Sequence, residues 1–283
     1  MTTGTGGPSG ENRTGAPERR VALVTGANHG IGAATAKALA ARGSAVLCAY
    51  FRSDRLGGLD DPSLPAAYRA TRMARADFVV ESIRANGGQA AAVEADLSDP
   101  ASIPAMFDTA ERELGPVLIL VNNASGWVGD TFAPQATDRF GRNQNTVTAR
   151  TIDQVLAVDA RAAALLIAEF ARRHIARRGQ WGRIVGLTSG EADGFPEEVS
   201  YGAAKAAQVS FTMSAASELA RHGVTANVVH PPITDTGWIN TQTAVAARSA
   251  GRRVATPKDV AEVIAYLASD EAALITGNVI KLR

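Results

Sequence analysis

Val21-Ala-Leu-Val-Thr25 runs directly into Gly26-Ala27-Asn28-His29-Gly30-Ile31-Gly32, and that turn runs into the helix-forming residues 33–42. The first five residues form a short apolar β-type run. The three glycines then fall between a buried strand and the start of a helix. Glycine accepts the positive φ of a tight turn, and its missing side chain lets a pyrophosphate come up against the backbone. The exposed amides at the helix start face the same negative charge. Three residues rather than one separate the first two glycines, so the spacing departs from the common dinucleotide fingerprint. A glycine cluster alone would also suit an ordinary strand-to-helix loop. Its place after the first strand of an alternating chain is what points to nucleotide binding.

Working outward, apolar β-type runs recur at 45–50, 90–94, 117–121, 183–187, 224–229 and 278–282. Helical patterns separate them at 65–86, 100–114, 152–178, 200–221 and 257–268. Buried strands alternating with helices are the pattern of a parallel sheet covered on both faces. The expected fold class is therefore α/β, a doubly wound Rossmann-like sheet of about seven strands flanked by helices. No repeat, linker or composition break interrupts residues 19–283, which read as a single domain. Residues 1–18 are rich in Gly, Thr, Pro and Ser and are expected to be a disordered tail.

Composition narrows the classes of function. Twenty-nine basic and 28 acidic side chains leave a net charge of +1, which gives no general pull on nucleic acid or anionic lipid. Cys48 is the single cysteine, so no internal disulfide can form. The longest aliphatic run, 117–121, is too short to cross a bilayer, and a cytoplasmic location is expected. No His/Cys/Asp cluster has metal-ligand spacing, so no catalytic metal is expected. There is no Gly-x-Ser-x-Gly elbow and no Lys-Ser/Thr after the glycine turn, which disfavours a hydrolase or phosphotransferase.

Tyr201 and Lys205 stand four apart near the start of a predicted helix and share one face. A phenol with a reference pKa of about 10 is a poor proton shuttle at neutral pH, and an adjacent ammonium lowers that value. Taken alone, such a pair is usually two neighbours on a solvated helix. Thr188-Ser189-Gly190 ends strand five, however, and Asn122-Asn123-Ala124-Ser125 ends strand four. Both put short polar residues at the C-terminal edge of the sheet, where open α/β sheets bind ligands.

In that order these motifs resemble the short-chain dehydrogenase/reductase family, in the single-domain branch that includes the β-ketoacyl-carrier-protein reductases. The resemblance runs from about Arg20 to the C-terminus. It implies that Gly26, Asn28, His29, Gly30, Ile31 and Gly32 form the coenzyme turn, with Asp96 and Leu97 against the adenine. It adds Asn123 and Ala124 at the end of strand four, and Pro231, Ile233 and Thr234 beside the nicotinamide. Ser189, Tyr201 and Lys205 match the catalytic residues. By the same analogy Lys205 both lowers the Tyr201 pKa and holds the nicotinamide ribose. A homo-oligomer, dimer or tetramer, is implied through the helices at 152–178 and 200–221.

The chain departs from the family pattern in several places. Asp159 stands at the fourth catalytic position, where the family has an asparagine whose main-chain carbonyl supports a water leading to the lysine. The backbone role survives that change, while the added carboxylate could alter the proton relay. Pro232 replaces a glycine, and His230 before it is either a substrate contact or a packed loop residue. The chain also lacks the usual Gly-Gly close. Two stretches, 52–77 and 126–150, exceed the family minimum. Ser125, Trp127, Gly190 and Trp238 are the candidate substrate contacts, with Phe132 nearby. The aromatic ones equally suit lid or interface packing.

Strand two ends Tyr50-Phe51-Arg52-Ser53, without the acid that would bind the 2′-hydroxyl of NAD. Arg52 and Ser53 could meet the 2′-phosphate of NADP, and His29 sits where NADP-preferring relatives carry Arg. Asp54 would serve an NAD reading. The sequence thus points to NADP over NAD, and to an enzyme reducing a ketone or aldehyde with Tyr201 as proton donor. The same residues would serve an alcohol or sugar dehydrogenase. A cofactor-sensing protein on this fold would be expected to lose the Tyr-Lys pair. The lid stretch 236–256 does not distinguish among carbonyl substrates.

Overall fold

The computed structural model describes residues 19–52, 63–190, 194–249 and 253–283. The 1–18 segment, Ser53 and Asp54 lie outside the described residues. The elements are β1 (Val21–Thr25), α1 (Gly30–Ala41), β2 (Ala45–Tyr50), α2 (Ala66–Met73), α3 (Asp77–Ala85), β3 (Gln89–Glu94), α4 (Ser102–Glu113) and β4 (Val117–Asn122). Next come β5 (Asp130–Thr131), β6 (Asn145–Thr146), α5 (Ala149–Val155), a π-helical stretch (Leu156–Ala162), α6 (Ala163–Ala176) and β7 (Gly182–Leu187). The chain closes with α7 (Val199–Leu219), β8 (Val224–His230), α8 (Thr241–Ser249), α9 (Pro257–Leu267) and β9 (Val279–Lys281).

Seven strands make one parallel sheet in the order β3-β2-β1-β4-β7-β8-β9. The chain direction across the sheet reverses between β1 and β4, and a crevice opens at such a reversal. Every residue of β1 and β2 is buried, because helices cover both faces. Alternate side chains feed two cores. On one face Ala22, Val24, Val46 and Cys48 pack with Leu39 of α1, Ile83 of α3 and Ile264 of α9. On the other, Leu23, Leu47 and Leu120 pack with Phe107 of α4, Phe170 of α6 and Leu219 of α7. Cys48 is fully buried, and desolvation pushes its thiol up to about 12. Leu165 on α6 and Phe211 on α7 are exposed.

Local signals explain several ends. Thr256 and Asp259 form a reciprocal capping box at the start of α9, with Pro257 at its first position. Thr148 and Thr151 do the same for α5. The predicted helix over 65–86 is instead two helices, α2 and α3. The chain turns extended at Ala74, where the Arg72 and Ala74 carbonyls accept hydrogen bonds from Asn28 Nδ2 at 3.3 and 2.9 Å. The predicted helix over 152–178 is continuous but passes through the π-helical stretch. The short strands β5 and β6 lie within 126–150, and α8 lies within the lid stretch.

Candidate active site

Hydrogen bonds stitch the ends of β1 and β4 together. Thr25 Oγ1 accepts from the amides of Asn123 and Ala124 at 3.0 and 3.1 Å and donates to the Val121 carbonyl. Asn123 Nδ2 donates to the carbonyls of Thr25 and Gly26 at 2.9 and 3.1 Å. Gly26 has φ +65°, and a Cβ on Gly32 would stand 2.1 Å from the Gly26 carbonyl oxygen. Both glycines are therefore demanded by backbone-to-backbone approach. His29 sits at the N-cap of α1 with extended backbone and no side-chain cap, which leaves the first amides of the helix for a ligand.

A cavity of about 250 Å³ opens at this edge. Among the expected residues, Gly26, Asn28, His29, Gly30, Ile31, Asp96, Leu97, Asn123, Ala124, Ser125 and Tyr201 line it. One cavity thus joins the glycine turn to the phenol. Gly32, Arg52, Asp159, Ser189, Lys205, Pro231, Ile233, Thr234, Trp127, Gly190 and Trp238 are not on its wall. Gly32 instead sits beneath the turn. Thr234 is buried with its hydroxyl donating to the Pro232 carbonyl at 2.8 Å. Thr236 reaches the cavity in its place, its methyl 3.0 Å from where a Gly30 Cβ would stand.

At the β2 tip, Arg52 is held by Glu94 through three contacts of 3.0 to 3.2 Å. The β2–β3 register, which pairs Tyr50 with Glu94, brings these side chains together. The cation that lines the cavity is Arg72, with Tyr68 one turn earlier on α2. The Arg72 guanidinium lies 5.7 Å from the Tyr68 ring. Among the described residues no carboxylate pairs with Arg72. Tyr68 also meets the His29 ring edge-on at 6.1 Å. Burial, then the Arg72 charge, pulls His29 down to about 4, so the imidazole is neutral at pH 7. The sequence reading missed Tyr68 and Arg72; their i, i+4 spacing beside the long stretch after β2 was the available signal.

At the other end of the cavity, Tyr201 and Lys205 stand one turn apart on α7, with Nζ 5.5 Å from the phenol ring centre. Lys205 is buried, 3.0 Å from Asp159 Oδ1, and donates to Gln208 Oε1 at 2.9 Å. Gln208 in turn donates to the Asn122 carbonyl at 3.0 Å. Asp159 comes from the π-helical stretch, and its Oδ2 accepts from the Gly126 amide at 2.8 Å. Tyr201 is held well above its ordinary range, first by burial and then by the negative charges of Asp159 and Glu198 and by Tyr68. A hydrogen bond with the Ser125 hydroxyl works in the opposite direction. The sequence expectation was a phenol lowered by Lys205; the structure differs first because the phenol is buried and then because carboxylates stand near it, one of them paired with that ammonium. Ser189 follows β7 and is half-buried.

The inserted segment after β4 folds around Arg142. This buried guanidinium pairs with Asp138 and, at 2.6 Å, with Glu198. It lies within 4.9 to 5.3 Å of the rings of Trp127, Phe140 and Trp238. Trp127 and Trp238 are thus packing partners of one cation. Asp130 caps α7 by accepting from the Ser200 amide at 2.9 Å and from its hydroxyl. Phe132 is exposed, and Phe195 packs on Gly190 and Gly202 beside Tyr201.

Among the described residues no group of three or more His, Cys, Asp or Glu could hold a metal. No helix there is long and apolar enough to cross a membrane. The family profile described as Enoyl-(Acyl carrier protein) reductase matches residues 66–282. The chain is 34% identical over 267 residues to cis-4-hydroxycyclohexanecarboxylate dehydrogenase of Sinomonas cyclohexanicum, covering 92% of this chain and 94% of that one. It is 31% identical over 267 residues to the 3-oxoacyl-[acyl-carrier-protein] reductase of Escherichia coli, covering 92% and 94%. The solved landomycin C-6 ketoreductase with bound NADP and rabelomycin superposes with a TM-score of 0.72 at 28% identity, covering 93% and 94%.

Proposed function

The chain belongs to the short-chain dehydrogenase/reductase family, as an NAD(P)-dependent oxidoreductase acting on alcohol and carbonyl groups, and we propose that it is an NADP(H)-dependent reductase of a ketone or aldehyde. The observation that carries this reading is the one cavity that runs from the glycine turn to Tyr201. The residues present fit a dinucleotide. Positive-φ glycines leave a cradle no Cβ could share, and the uncapped start of α1 faces it. Asn28, His29, Gly30 and Ile31 would hold the pyrophosphate end, with Asp96 and Leu97 at the adenine.

When bound, the dihydronicotinamide supplies the hydride that reaches the carbonyl carbon. Tyr201 gives its phenolic proton to the carbonyl oxygen, so a C=O group becomes CH–OH. A phenol kept above its ordinary range carries that proton at neutral pH. By the family resemblance, Ser189 is the hydroxyl that binds the reacting oxygen; Ser125, hydrogen-bonded to Tyr201, is a second hydroxyl at the same edge. Arg72 supports the preference for NADP, because it brings to the cavity beside His29 a guanidinium that no carboxylate among the described residues engages. The landomycin ketoreductase carries NADP.

The oxidative reading has its own support in the Sinomonas dehydrogenase, and reversibility assigns the same residues to both directions. Oxidation of NADPH and NADH against a panel of carbonyl compounds, run beside NADP⁺ reduction with alcohols, separates the two. Tyr201→Phe is expected to lower kcat by about 10²- to 10⁴-fold. A chain that binds neither cofactor would sink the whole reading. A Tyr201→Phe enzyme as fast as the parent would remove only the assigned proton donor.

A further inference from the structure

The Lys205 ammonium meets two acceptors, Asp159 at 3.0 Å and Gln208 at 2.9 Å, all three buried. Asp159 is fixed from its other oxygen by the Gly126 amide. We infer that Asp159 is a positioning residue that takes the Lys205 charge away from Tyr201 and so holds the phenol in its proton-donating form. This inference rests on the proton-donor role assigned to Tyr201 above.

Tyr201 faces Lys205 from its own helix, Asp159 from the π-helical stretch, Glu198 from the residue before α7, Tyr68 from α2 and Ser125 from the end of β4. Glu198 has a cation of its own in Arg142. Among the described residues, the cation paired with Asp159 is the lysine that would otherwise act on Tyr201. An ammonium beside a phenol favours phenolate, whereas an ammonium neutralised by a carboxylate does so weakly. Burial pushes Tyr201 upward first, and the carboxylate's own charge adds to the cost of a second anion nearby. An asparagine at 159 has one acceptor oxygen, so it could keep the Gly126 hydrogen bond while removing the charge that faces Lys205.

The sign is fixed by which form reacts. Carbonyl reduction needs the protonated phenol, so activity is lost as pH rises through the folded pKa. A raised pKa keeps the site active further into alkali. Asp159→Asn should bring the alkaline limb of the reductive kcat profile down by about one pH unit. At a pH between the two limbs, reductive kcat should then fall up to about tenfold.

A direct readout needs no turnover. Phenolate absorbance followed through an alkaline titration, with Tyr201→Phe subtracted, isolates Tyr201 from the other three tyrosines. Asp159→Asn should ionise Tyr201 about one unit earlier, and Asp159→Ser carries the same prediction should the amide variant not fold. Asp159→Glu, which keeps the charge, should titrate close to the parent. A Tyr201 titration that is unmoved or moves upward in both the Asn and Ser variants overturns the inference. So does a Glu variant that moves as far as they do. If the titration shifts as expected but Tyr201→Phe still turns over, the proton-donor reading fails and the Asp159 effect stands.

Discussion

The β1–β4 edge and the inserted segment at 126–150 both hold loops still at the open end of the sheet, by different means. At the β1–β4 edge, backbone meets backbone. Thr25 and Asn123 close the contact, and Gly26 and Gly32 permit it by having no side chain. In the inserted segment one guanidinium is the centre, with two carboxylates and three rings around it. The first arrangement is written in residues that any reader of motifs will notice. The second is spread over 127, 138, 140, 142, 198 and 238, and no short motif holds it.

Breaking the insert's centre should have the largest effect. Arg142→Met leaves Asp138 and Glu198 buried without a cation, and a cost of about 3–5 kcal/mol is expected in denaturant unfolding. A cost under about 1 kcal/mol would mean that the rings, and not the charges, hold the segment. Gly32→Ala tests the other region. Its new methyl has no room against the Gly26 carbonyl, so about 2–3 kcal/mol should be lost, together with NADPH binding measured by fluorescence. Retained binding would show that the turn can shift without harm.

The smallest effect sharpens the comparison at the seam between motif and insertion. Arg72→Ala should weaken NADPH binding about tenfold, or ~1.4 kcal/mol, and leave NADH binding unchanged. Arg52→Ala, which removes a surface pair, should change either by no more than about twofold. The reverse ranking would return the phosphate to the tip of β2.

What could be read from the sequence follows the same division. The central strands of the main sheet were legible because strands buried on both faces read as largely apolar runs; the partly exposed edge strands β3 and β9 were legible from their place in the alternation. The glycine turn, Asn123 and Tyr201 were legible because their neighbours in the cavity lie at fixed places in a recurring topology. The break at Ala74 was not, since the group that accounts for it, Asn28, is 46 residues away. Nor did the sequence tell Thr234 from Thr236, two residues apart in one loop, because the choice depends on which side chain faces Gly30. Arg52 and Arg72 are alike as letters. Only the register of β2 on β3 reveals that Glu94 has engaged the first.

The π-helical stretch sets the phase of one long helical run. It accommodates one residue more than an α-helix would over the same span. A chain shorter by one residue there would close into plain α-helix, and everything on α5 would turn by about 100° relative to α6. Val158 would leave the cavity wall and Asp159 would leave Lys205. The reach of that carboxylate is therefore a matter of residue count as much as residue type, and a single-residue deletion between 160 and 162 would erase it without altering any side chain that touches it.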